Sequence, residues 1–193
     1  MSKQMALWLY EVLNALTMLP SPLILLLHAS ITRPYSVVAF VVIAAQVPFS
    51  MAYHLREAYR LYTSEEGCRI DNHWRRLDQT TQHMAQLGLT YAITQSWPYT
   101  AMALLWHCEA WRQLWDPITS NDRKRWQMIG FGVLLYTAPI IITDVVLGVY
   151  ATIPMLVGGC LAFIPQFRFE GSHAVMHALA WMHADAVGLF LCS

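Results

Sequence analysis

A chain of 193 residues with 56% hydrophobic and only 12% charged side chains has about half the charge of an ordinary globular domain. That is the composition of an integral membrane protein. Its 12 Lys and Arg balance 12 Asp and Glu, so no net charge draws it to nucleic acid. Its cysteines, Cys68, Cys108, Cys160 and Cys192, form no CxxC pair, which argues against a disulfide framework or a cysteine zinc site.

A membrane-spanning helix needs about 20 mostly apolar residues. Ala6–His28 predicts the first. It is longer than the roughly 7–15 residues of a signal-peptide core. Glu11, Asn14, Pro20 and Pro22 also interrupt it, so it reads as a helix retained in the mature chain. Tyr35–Tyr59 predicts the second. The polar loop RLYTSEEGCRIDNHWRR then leads to Asp78–Trp97, a weak span by hydropathy, and to Pro98–Trp115, which opens on a proline as a first helical turn tolerates. One helix over 78–115 would be about 57 Å long, against a hydrocarbon core of about 30 Å. A break at Ser96-Trp97-Pro98 gives two spans instead. After DPITSNDRKR come Trp126–Thr143 and Val145–Phe163, joined at Thr143-Asp144. His173–Leu191 is last. The expected fold is all-α, a single seven-transmembrane-helix bundle over residues 1–193.

Charge supports that count. With seven spans, Lys3, Arg56, Arg60, Arg69, Arg75, Arg76, Arg112, Arg123, Lys124, Arg125 and Arg168 share one side, and Arg33 stands alone on the other. The positive-inside rule then places the N-terminus in the cytoplasm and the C-terminus outside. Six spans would move Arg123–Arg125 across and destroy the bias.

The third span carries Asp78, Gln82, Gln86, Thr90 and Thr94 at every fourth position. This polar stripe cannot face lipid cheaply. It either makes interhelical hydrogen bonds or lines a wet cavity, and both place the helix in the bundle interior.

Three helix ends meet at one depth under this topology. FSMAYHL puts Ser50 and His54 four residues apart, on one face, near the cytoplasmic end of the second span. HWRRLDQT brings Asp78 to the same end of the third. GSHAVMH brings His173 and His177, again four apart, to the same end of the seventh. Three neutral imidazoles with an open fourth position make a catalytic zinc site. Zinc acidifies a bound water, a carboxylate such as Asp78 can take or orient its proton, and a hydroxyl such as Ser50 can stabilise an oxyanion. A lone intramembrane histidine is often only an interhelical hydrogen-bonder; convergence of three segments favours the metal.

The remaining candidates read differently. His183 lies six residues past His177, off the ligand face, and is expected to pair with Asp185 or face the outer interface. His28 and His107 sit at the edges of apolar runs, which suggests interfacial exposure. His73 is expected in the loop. His83 is a candidate to support the site behind Asp78. Glu11 is either a buried site acid or the partner of a loop arginine.

Ser-x3-His in the second helix, Asp early in the third and His-x3-His early in the seventh resemble the CREST superfamily. That group comprises alkaline ceramidases, progestin/adipoQ receptors, post-GPI-attachment proteins and myomaker-like transmembrane proteins. LTMLPSP, FSMAYHL and HWRRLDQT look most like the myomaker-like branch, and the Glu-x2-Asn of LYEVLNAL looks like the alkaline ceramidases. The resemblance implies a membrane-embedded zinc hydrolase acting on a lipid amide or ester, such as a ceramide or a phospholipid acyl chain. His54, His173 and His177 would bind Zn2+, and Asp78 and Ser50 would be catalytic. The chain departs from some relatives in ending two residues past Leu191, without a long extracellular domain. The competing class is a non-enzymatic receptor-like or membrane-remodelling protein with a structural metal.

Overall fold

The computed structural model describes residues 3–30, 32–63, 73–116, 122–164, 166–167, 169 and 171–193. Cys68, Arg69 and Arg168 lie outside the described residues, as do the side chains of Lys3 and Arg123. Eight helices account for the regular structure among the described residues: α1 Lys3–Leu16, α2 Pro20–His28, α3 Pro34–Thr63, α4 His73–Thr94, α5 Trp97–Trp115, α6 Asp122–Thr143, α7 Val145–Phe163 and α8 Ser172–Cys192.

The first apolar segment is therefore two helices, not the single one expected. Proline is the reason. Pro20 and Pro22 have no N–H to give to carbonyls four residues earlier, and their rings crowd those carbonyls. The chain tightens at the break: Met18 N–H turns to Ala15 C=O at 3.4 Å and Leu19 N–H to Leu16 C=O at 3.2 Å.

The break expected within 78–115 is present between Thr94 and Trp97. Gln95 takes a left-handed backbone at φ 50°, and Ser96 caps α5 by accepting from Tyr99 N–H at 3.4 Å. Asp144 is the whole link between α6 and α7. Its carboxylate accepts from Leu147 N–H at 3.0 Å, the side-chain cap that a helix N-terminus calls for. His73 opens α4 instead of lying in the loop, with its ring 5.5 Å from that of Trp115.

α4 is the central helix and packs on α3, α5, α6 and α8. The apolar core gathers beside it, with Ala39, Leu89, Ile140, Ala151 and Val187 all buried. Three residues of the polar stripe make side-chain hydrogen bonds, one of them to another helix. Gln86 Nε2 donates to Ile129 C=O on α6 at 3.1 Å, Thr90 Oγ1 to Gln86 C=O at 2.9 Å, and Thr94 Oγ1 to Thr90 C=O at 2.7 Å. The outer surface is apolar, with Leu27 85% and Ile142 84% exposed. Five segments are long and apolar enough to cross a membrane: Met5–His28, Pro34–Thr63, Lys124–Thr143, Val145–Phe163 and Ser172–Cys192. They mark a multi-pass membrane protein. α4 and α5 are not among them, because polar side chains occupy the faces that α4 turns to its neighbours and Glu109 and Arg112 interrupt α5.

Candidate metal centre

Two helices bring three imidazoles together. α3 presents Ser50, Tyr53, His54 and Glu57 on one buried face, the i, i+3, i+4, i+7 spacing of a helical stripe. α8 starts after Gly171, whose φ of 87° suits a residue without Cβ. That turn sets where His173 and His177 emerge. One ligand atom from each of His54, His173 and His177 lies within 4.8 Å of the other two. Their ring centroids are 5.1, 5.4 and 4.7 Å apart in the pairs 54–173, 54–177 and 173–177.

Neighbouring acceptors decide which nitrogens face inward. His177 Nδ1 is 3.0 Å from Asn14 C=O. A carbonyl can only accept, so Nδ1 carries the proton and Nε2 keeps its lone pair. His54 Nδ1 is 2.8 Å from Glu11 Oε2. The carboxylate accepts there as well, again leaving Nε2 free. Asn14 Nδ2 donates to the same Glu11 oxygen at 3.2 Å. Both imidazoles thus donate Nδ1–H to a fixed acceptor, the contact by which metal-binding histidines hold their tautomer and aim.

The donor set fits a metal. Three nitrogens at about 2.1 Å from one tetrahedral zinc lie about 3.4 Å apart, so side-chain adjustments of about 1 Å bring these three to that geometry. His54 is 1% and His177 7% exposed. Asp78 is close enough for His54, Ser50 and Arg75 all to act electrostatically on its carboxyl group. Asp78 Oδ1 is buried without a hydrogen-bond partner, which leaves it able to accept from a bound molecule.

Glu11 is therefore a buried acid on a site histidine. Asn14, given no site role by the sequence, and Thr17, which no sequence argument singled out, complete its surroundings: Thr17 Oγ1 lies 3.0 Å from His177 Nδ1. The signals were the Glu-x2-Asn spacing and the two prolines downstream.

Other expectations need correction. His183 neither pairs with Asp185 nor faces an interface. It is buried, accepts from Tyr136 OH through Nε2 at 2.9 Å and donates through Nδ1 to Ala151 C=O at 2.8 Å. Asp185 belongs instead to His28 Nε2 at 3.0 Å and Tyr150 OH at 3.3 Å, so His28 is paired across helices. His107 is fully buried, not interfacial, with Nδ1 3.1 Å from His83 Nδ1. His83 thus serves the α4–α5 contact and not the site. Five residues from Asp78, it points about 140° away around the helix. A pocket between α4, α5 and α6, lined by Gln79, His83, Gln113, Lys124 and Arg125 among others, shares no residue with the three-histidine cluster, and no stripe residue lines it.

No protein-family model, curated protein or solved structure matches the chain.

Proposed function

We propose that this protein is a zinc-dependent hydrolase embedded in the membrane, of the kind found in the CREST superfamily, that cleaves a lipid amide or ester. The observation that carries the proposal is the convergence of three buried imidazoles, two with Nε2 freed by fixed Nδ1 partners, beside Asp78 and Ser50. Seven spans serve this site best. α1 and α2 together form the first, and α4 and α5 cross with their polar faces turned inward. The N-terminus then lies in the cytoplasm, and Ser50, His54, Asp78, His173 and His177 share the cytoplasmic end.

His54, His173 and His177 would hold Zn2+, which supplies an acidified water and polarises an acyl carbonyl. The chain's own groups do the rest. Asp78 orients the water and takes its proton as the oxygen adds to the acyl carbon. Ser50 donates a hydrogen bond to the developing oxyanion. The C–N or C–O bond then breaks, and the proton held by Asp78 passes to the departing amine or alcohol. Burial of the site excludes bulk water and strengthens each of these interactions.

The test is a panel of long-chain ceramides and acyl phospholipids, assayed with purified protein in nanodiscs, with and without zinc. Zinc-dependent release of fatty acid is expected. Folded, metal-loaded protein that turns over none of them would instead support the receptor-like or membrane-remodelling class, with the metal holding helices together.

A further inference from the structure

The break in the first apolar segment lies against the metal centre. In an uninterrupted helix, Asn14 C=O would accept from Met18 N–H. At the break Met18 N–H goes to Ala15 instead. Asn14 C=O is left to side chains, and it accepts from Thr17 Oγ1 at 2.9 Å and from His177 Nδ1 at 3.0 Å. Thr17 Oγ1 is itself 3.0 Å from His177 Nδ1. Its hydroxyl donates to the carbonyl and offers a lone pair to the imidazole N–H. Thr17 C=O accepts from Trp181 Nε1 at 2.8 Å. His177 and Trp181 are one turn apart on α8, so the two carbonyls at the break dock two successive side chains of one helix face.

The geometry points to the Thr17–Leu19 break as the device that positions His177 for metal. Pro20 and Pro22 open the helix, the freed Asn14 carbonyl fixes the His177 tautomer, and Thr17 locks the ring's rotation. Thr17 is a positioning residue that touches no substrate. Apolar residues flank the break, Leu16 and Leu19 being 52% and 40% exposed, so hydropathy alone gives no reason for a polar threonine there. The inference rests on His177 being a metal ligand.

Co2+ is the probe, because its absorption reports tetrahedral nitrogen coordination and its affinity can be measured by chelator competition on the full-length protein. Thr17→Val removes both contacts at nearly constant volume and is expected to weaken Co2+ binding about 10–100-fold, as loss of such an outer partner does. Thr17→Ser is expected to restore it. Pro20→Ala with Pro22→Ala lets Met18 N–H reclaim the Asn14 carbonyl and is expected to weaken binding by a similar factor, with little further loss on adding Thr17→Val. The melting temperature of metal-free protein separates positioning from support of the fold: affinity falls while that temperature holds. Wild-type affinity in both Thr17→Val and the double proline variant overturns the inference and leaves the metal centre standing. Wild-type protein that takes up no Co2+ overturns both.

Discussion

Replacing Glu11 with alanine tests the orientation of His54 most sharply. Glu11 Oε2 accepts from His54 Nδ1 at 2.8 Å and from Asn14 Nδ2 at 3.2 Å, all three residues being buried. Truncation orphans two buried donors at about 1–3 kcal/mol each, so some loss of global stability is expected. The larger consequence is local. His54 loses the acceptor that holds its proton on Nδ1 and so keeps Nε2 free for a metal. Loss of an outer-shell partner lowers metal affinity about 10–100-fold, equivalent to about 1.4–2.7 kcal/mol. Glu11→Gln retains one acceptor oxygen for His54 but loses the charge and turns the other oxygen into an NH2 donor. Its cost is the difference between a charge-assisted and a neutral hydrogen bond, about 1 kcal/mol, or about fivefold in affinity. Zinc competition against a chelator, with helicity checked by circular dichroism, measures both. An order of wild type, Gln and Ala in falling affinity is expected. Glu11→Ala protein that is folded and binds zinc as wild type does would refute the tautomer argument for His54.

Four further outcomes are expected. Asp78→Ala should keep its zinc and lose about 10²–10⁴-fold in turnover, and Ser50→Ala about 10²–10³-fold, both read in the acyl-lipid assay against metal content. His183→Ala should leave metal content unchanged while lowering the melting temperature, because it strands the buried Tyr136 hydroxyl at about 1–3 kcal/mol. Reporters fused to the two ends should lie on opposite sides of the membrane; both on one side would contradict seven spans.

Periodicity and loop chemistry carried the sequence reading a long way. Ser96-Trp97-Pro98 marked the α4–α5 break, and Thr143-Asp144 marked the α6–α7 link. That His54, His173 and His177 come together was legible because i, i+4 spacing fixes a face and each lies near an end of its segment. What neither fixes is the direction in which a face points once helices pack. His107 sits at the edge of an apolar run yet is fully buried against His83. His183 found Tyr136 on α6 instead of its near neighbour Asp185. Such pairs depend on the rotation of two helices about their axes, which no single helix encodes. The contact of Asn14 with His177 was missed for another reason: the group that meets His177 is its backbone carbonyl, and only the proline-induced break makes that carbonyl available.

Metal analysis of the purified chain bears most directly on the whole account. About one zinc per chain is expected for a mononuclear site with three protein ligands, together with loss of that zinc in His54→Ala, His173→Ala and His177→Ala and its retention in His183→Ala. Wild-type protein that binds no zinc after loading, or a triple variant of His54, His173 and His177 that still holds it, would contradict the metal centre.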